Sequence, residues 1–241
     1  MKQLLRITAF TLMTLLVFSL PAAALAEKTE EYEYAEAVGS LISILFTPEQ
    51  TEVTVQGKSA WIKATGAKLD NIRAEKIIFR ANFKEDVKKT VKSRKPEEIL
   101  KNIDFAEGEL VILEKDINSF FAGEEIKGFT NLSFDFTPSG YRAKGDYKSD
   151  FTFGRSLHLE VTGNLAPMSD GIYFAGTDIY INGSKQPGKL SEIIISTINP
   201  LLSYKDIPFK IEFKEIKMDD TSITATSDPK MIEGGSTWKS K

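Results

Sequence analysis

From residue 129 to 183 the chain repeats one pattern: apolar and polar residues alternate, and a tight-turn signal then cuts the alternation. Leu132, Phe134 and Phe136 alternate, Pro138-Ser139-Gly140 turns, and Tyr141, Ala143 and Gly145 continue. Phe151 and Phe153 keep the same period, as do Leu157, Leu159 and Val161, while Asp170-Gly171 and Asn182-Gly183 are hairpin dipeptides. A two-residue period sends successive side chains to opposite faces, and tight turns join neighbouring strands head to tail. The passage therefore predicts an antiparallel meander with one buried face and one wet face.

Around the meander lie three stripes of helical spacing. Residues 34–46 (YAEAVGSLISILF) place Val38, Leu41, Ile42, Leu45 and Phe46 on one side, and Pro48 follows where a helix stops. Residues 114–123 (EKDINSFFAG) space Ile117, Phe120 and Phe121 helically before Gly123. Residues 190–202 carry Leu190, Ile193, Ile194, Ile198, Leu201 and Leu202, with Ile195 beside the stripe and Ser191, Glu192, Ser196 and Thr197 opposite. Burying such a set of seven contributes at most ~10–20 kcal/mol. Asn is a favoured N-cap and Pro a favoured first helical residue, so Asn199-Pro200 is expected to close one helix and start a second short turn, PLLS. Pro208 then opens a strand in which Phe209, Ile211 and Phe213 share a face.

Shorter β-like runs occupy 52–56, 60–64 and 75–83, and in the last Ile77, Phe79, Ala81 and Phe83 face one way. Another, ELVIL, follows Gly108, and a final pair lies near 216–226. Strands thus run together instead of alternating with helices, which predicts α+β with a long, curved antiparallel sheet wrapped around two or three amphipathic helices. Residues 228–241 hold two Gly, one Pro and few apolar groups, so a flexible tail is expected there.

The first 26 residues read as an export signal: Lys2 and Arg6, an uncharged apolar run, and small residues at Ala24 and Ala26. The rival is an uncleaved anchor, since residues 7–26 are nearly long enough to span a bilayer. Cleavage removes two positive charges and no acids, moving the net charge from −3 to −5 and leaving residues 27–227 as one domain before the tail. That mild acidity argues against nucleic acid as partner. The absence of Cys excludes disulfides, thiolate metal sites and cysteine nucleophiles. The expected location is the periplasm or cell envelope.

No catalytic or metal constellation emerges, and no cofactor is expected. His158 is the only histidine, and neither G-x-S-x-G nor a phosphate-binding G-x-x-x-x-G-K-[ST] occurs. Asp219-Asp220 lacks the spaced oxygens of a calcium loop. A basic run is more suggestive: Lys88, Lys89, Lys92, Arg94 and Lys95 are candidates for lipid headgroups or an anionic leaflet. A solvated helix resting on Val87 and Val91 accounts for the same pattern.

The order helix, I-N-P-L-L, D-I-P-F, alternating strand at the C-terminal end resembles the signature of the LmeA-like phospholipid-binding family. WIKATGAKLDNIRAEKIIFRANF (61–83) and ELVILEKDINSFFAGE (109–124) resemble two further segments of that family, and the likeness covers roughly 34–227. The resemblance implies a non-enzymatic envelope protein that binds phospholipid or another acyl-chain ligand, with a half-barrel similar to the tubular lipid-binding (TULIP) superfamily. Leu41, Leu45, Phe46, Phe120, Phe121, Ile194, Ile198, Leu201 and Leu202 are then candidates to line an acyl slot. The competing expectation is a scaffold or interaction protein in which these residues form an ordinary closed core.

Overall fold

The two-residue periods resolve into two open sheets in the computed structural model, which describes residues 29–87, 99, 101–122, 125–148, 154–205, 207 and 209–240. The expected leader (1–26), the five cations from Lys88 to Lys95, Phe151, Phe153 and Pro208 lie outside the described residues. The architecture is α+β and almost wholly antiparallel.

The first sheet is built on a meander of β1 (Gln50–Gln56), β2 (Ser59–Leu69), β3 (Ile72–Phe83) and β4 (Ile103–Leu113). As the alternation predicts, Ile77, Phe79, Ala81 and Phe83 are buried and Ile78, Arg80 and Asn82 are half-buried on the other face. Toward the β2–β3 turn the buried positions change parity. They run Ala60, Ile62 and Ala64, then Ala67 and Leu69, while the pairing continues unshifted from Ala64↔Ile77 to Ala67↔Ala74. Gly66, at φ +61°, sits at the change. In an unshifted ladder odd and even residues face opposite ways, so the hairpin buries one face at its base and the other at its tip. The tip reaches the second sheet, where the Ser203 amide donates to Asp70 Oδ2 at 3.4 Å.

The second sheet holds β5 (Phe129–Thr137), β6 (Gly140–Tyr147), β7 (Leu157–Met168) and β8 (Gly171–Ile181), the meander expected from the turn signals. β9 (Ser184–Lys185) and β10 (Leu202–Ser203) add two-residue pairings to β8. Two bulges bend it. Asn131 adopts φ +54° where β5 slips against β6, and Gly176 adopts φ +55° where β8 slips against β7. The inner face is aromatic and aliphatic, whereas Asp135, Arg142 and Lys144 face solvent.

Helix α1 (Glu30–Phe46) starts a full turn before Tyr34, because Thr29 accepts the Tyr32 amide at 3.2 Å and Glu30, Glu31 and Glu33 occupy the favourable first turn. Helix α2 (Glu114–Phe121) packs on β5, and α3 (Gly188–Ile198) packs on β8. Arg73 on β3 bonds Glu49 and Glu75 at 2.9 Å and Asp116 of α2 at 3.2 Å, tying the helix to the first sheet. All three helices contribute to one continuous apolar core shared by both sheets.

The chain then returns to the first sheet. β11 (Ile211–Glu212) pairs with β4 in the one parallel pairing among the described residues, and β12 (Glu215–Met218) and β13 (Ser222–Thr226) extend the same edge. The C-terminal segment is not a flexible tail throughout: β14 (Ser236–Lys239) pairs with β1 from Val55↔Ser236 to Glu52↔Lys239. A composition poor in apolar groups concealed this, because a backbone ladder needs no apolar side chains and one large ring supplies the packing on α1. Trp238 lies on α1 at Gly39, where any β-carbon would overlap its ring. Gly39→Leu is therefore expected to expel Trp238, red-shift the tryptophan fluorescence and lower stability by about 1–3 kcal/mol in urea titrations.

Candidate functional site

The core of the second sheet is a chain of rings assembled from four elements. Phe121 of α2 meets Phe134 of β5 at 5.1 Å, and Phe134 stacks on Phe174 of β8 at 5.9 Å and 13°. Tyr141 closes the group edge-on to Phe174 at 5.1 Å. Burial pushes the Tyr141 phenol up to about 12, so it stays neutral, and it shares a hydrogen bond of 3.1 Å with Thr177.

Both strands that carry the stacked pair have a free edge at that point, and an asparagine covers each. Asn118 of α2 donates Nδ2–H to the Phe134 carbonyl at 2.9 Å and accepts the Phe134 amide at 2.7 Å. Glu114 accepts the next edge amide, Phe136 N–H, at 2.8 Å. Asn199 does the same for β8, accepting Phe174 N–H at 2.9 Å and donating to its carbonyl at 3.3 Å. Each side-chain amide replaces one residue of a missing strand, which satisfies backbone groups and blocks edge pairing.

This corrects the expectation for Asn199-Pro200. Asn199 ends α3, its amide donating to Ile195 O at 3.0 Å, and it caps no second helix. The following residues go directly back to the sheet: Leu201 N–H donates to Ile172 O at 2.8 Å and Leu202 begins β10. The α3 stripe also shifts. Ser191, Ile194 and Ile195 are buried, whereas Ile193 is 50 % exposed. Three consecutive isoleucines satisfy either helical stripe, and only the position of β8 selects between them.

Of the nine candidate slot residues, Leu41, Phe46, Phe121, Ile194, Leu201 and Leu202 are core, and Phe120 and Ile198 pack against that core half-buried. Leu45 alone of the nine is exposed, at 39 %. Beside it Ile44 is 74 % exposed, and neither Phe134 nor Phe174, at the centre of the ring chain, stands out from the alternation that contains it. The basic candidates Lys88, Lys89, Lys92, Arg94 and Lys95 fall outside the described residues.

Two clefts flank the Gly176 bulge. One of about 400 Å³ lies among Asp135, Arg142, Thr162 and Asn164 on the polar face. The other, about 210 Å³, lies between α3 and β8, with Phe174 and Ile195 as apolar wall and Thr177 and Ser196 as polar rim. Gly176 lines both. His158 is elsewhere, exposed and 3.2 Å from Asp146, whose carboxyl is held below the usual range by hydrogen bonds from Asn131 and His158. Among the described residues no group of three or more His, Cys, Asp or Glu could hold a metal, and no helix is long and apolar enough to cross a membrane. No family model, curated protein or solved structure matches the chain.

Asn118→Ala and Asn199→Ala each leave two buried backbone groups unpaired, so each is expected to cost about 1–3 kcal/mol in urea unfolding. Because the residues they hold are stacked on one another, the double variant should depart from additivity by about 0.5 kcal/mol or more. Amide exchange at Phe134 in Asn118→Ala, and at Phe174 in Asn199→Ala, should quicken selectively.

Proposed function

We propose that this chain is a non-enzymatic, lipid-binding protein of the cell envelope, whose helices and curved sheets act together in the manner of a TULIP-like half-barrel. The observation that carries the reading is the last turn of α1. There Leu41, Ile42 and Phe46 point into the core while Ile44 and Leu45 point out, so the helix end is apolar on both sides. Its two hydroxyls are turned inward along the helix: Ser40 donates to Glu36 O and Ser43 to Gly39 O, each at 2.8 Å. Little polarity remains for water. Moving Ile44 and Leu45 into hydrocarbon gains about 1.5–3 kcal/mol apiece when burial is complete. The cationic run Lys88, Lys89, Lys92, Arg94 and Lys95 supports the same reading, since each cation near an anionic leaflet adds about 1 kcal/mol.

A second reading has its own support. Six of the nine slot residues are already core, which favours a scaffold or interaction protein that holds no lipid. Protein prepared without detergent and examined by native mass spectrometry distinguishes the two: bound phospholipid is expected under the first. A clean spectrum together with failure to bind phospholipid vesicles would favour the scaffold. Leu45→Asp, at a surface position, is expected to weaken vesicle binding about tenfold with an unchanged circular dichroism spectrum. Ile194→Asp is unsuitable for this purpose, because it would place a charge in the core.

A further inference from the structure

The two clefts that share Gly176 in their walls differ in character, and taken together they have the polarity of an amphiphile. On the polar face Asp135 and Arg142 are directly opposite across β5 and β6, yet no ion pair joins them. Opposed residues in a ladder stand about 5 Å apart at Cβ, close enough to pair with ease. Both charges are instead presented to the same cleft, beside Thr162 and Asn164. Asp178, next across the sheet after Thr162, is engaged by Lys185 at 2.7 Å, and Lys144 pairs with Glu160 at 3.4 Å. Arg142 and Asp135 are thus the uncommitted charges of the cleft, one of each sign.

The neighbouring cleft is different. Between β10, which pairs at Gly171 and Ile172, and β9, which pairs at Tyr180 and Ile181, β8 has no strand beside it. Asn199 covers Phe174 alone, and the next stretch opens toward α3. Its wall is Ile195 and Phe174, the latter continuous with the ring chain of Phe134 and Tyr141. Ser191 lines it too, only 3 % exposed. Glu192 adds a further carboxylate at the rim.

On the lipid-binding reading above, we infer that the two clefts together seat a single phospholipid with a zwitterionic headgroup. Its phosphate is bound by Arg142, its ammonium by Asp135, and one acyl chain passes the Gly176 bulge to lie under α3 against Ile195 and Phe174. A guanidinium takes phosphate oxygens through paired, charge-assisted hydrogen bonds, and a carboxylate is the matching acceptor for the ammonium. An anionic headgroup without an amine would leave Asp135 facing negative charge. The glycine serves the passage: a side chain at Gly176 would stand in the wall that the two clefts share.

The test is calorimetric titration of the full chain with dihexanoyl phosphatidylethanolamine and dihexanoyl phosphatidylglycerol below their micellar concentrations, and with inorganic phosphate. The ethanolamine lipid is expected to bind about tenfold more tightly than the glycerol lipid, and phosphate alone far more weakly than either. Arg142→Glu should weaken both lipids about tenfold, Asp135→Asn should erase the preference between them, and Ser196→Trp should obstruct the α3 cleft and abolish binding. All three positions are at the surface, so the fold is retained. Lipid binding that is indifferent to all three variants overturns the cleft assignment and leaves lipid binding itself intact. Phosphate binding as tight as the lipids overturns the amphiphile. Absence of binding by either lipid in the unaltered protein, together with no co-purifying lipid, removes the underlying reading as well.

Discussion

The stacked rings of Phe134 and Phe174 connect the two edges of the second sheet, and each ring's backbone is held by an asparagine, Asn118 within α2 and Asn199 at the C-terminal end of α3. An open sheet cannot leave edge amides unpaired against a core, and it cannot leave them bare to solvent without inviting another strand. Asn118 and Asn199 resolve both demands with one side chain each. The same contacts fix where α2 and α3 lie, since a helix bonded to a particular backbone residue cannot slide along the sheet. The ring chain from Phe121 to Tyr141 follows from that placement.

The first sheet depends on a different device. Its central hairpin exchanges faces at Gly66, so one pair of strands packs under α1 at its base and toward the second sheet at its tip. Two open sheets consequently share one core without closing into a barrel. Without cysteine there is no disulfide, and strength comes from packing, edge covering and ion pairs. The Arg73 cluster with Glu49, Glu75 and Asp116 is the densest among the described ion pairs.

On the lipid-binding proposal, what matters is where apolar surface fails to close. Most of the apolar stripe residues close completely, which accounts for the stability of the fold and contributes nothing to recognition. Among the exceptions are Ile44 and Leu45 at the end of α1, Ile193 on α3, and the gap beside β8 under α3. Those are the places where a lipid would replace water at gain, and they are separate from His158, whose exposed pairing with Asp146 suits a surface contact.

Alternation by itself determined the meander of β5 to β8, the buried face of β3 and the existence of three helices, because periods of 2.0 and 3.6 follow from backbone geometry wherever one face is buried. Asn199 was also visible in the sequence as an apparent cap, whereas Asn118 lay unmarked between the apolar positions of EKDINSFFAG. Only the tertiary structure decided their role, since the edges they cover belong to strands elsewhere in the chain. It likewise chose Ile195 over Ile193 as the inward residue of α3, and turned the polar C-terminal segment into β14 through the ladder with β1 and the contact of Trp238 with Gly39. Local pattern specifies that a face is apolar; which neighbour covers it is set by the long-range pairing of strands and helices, which no window of the sequence contains.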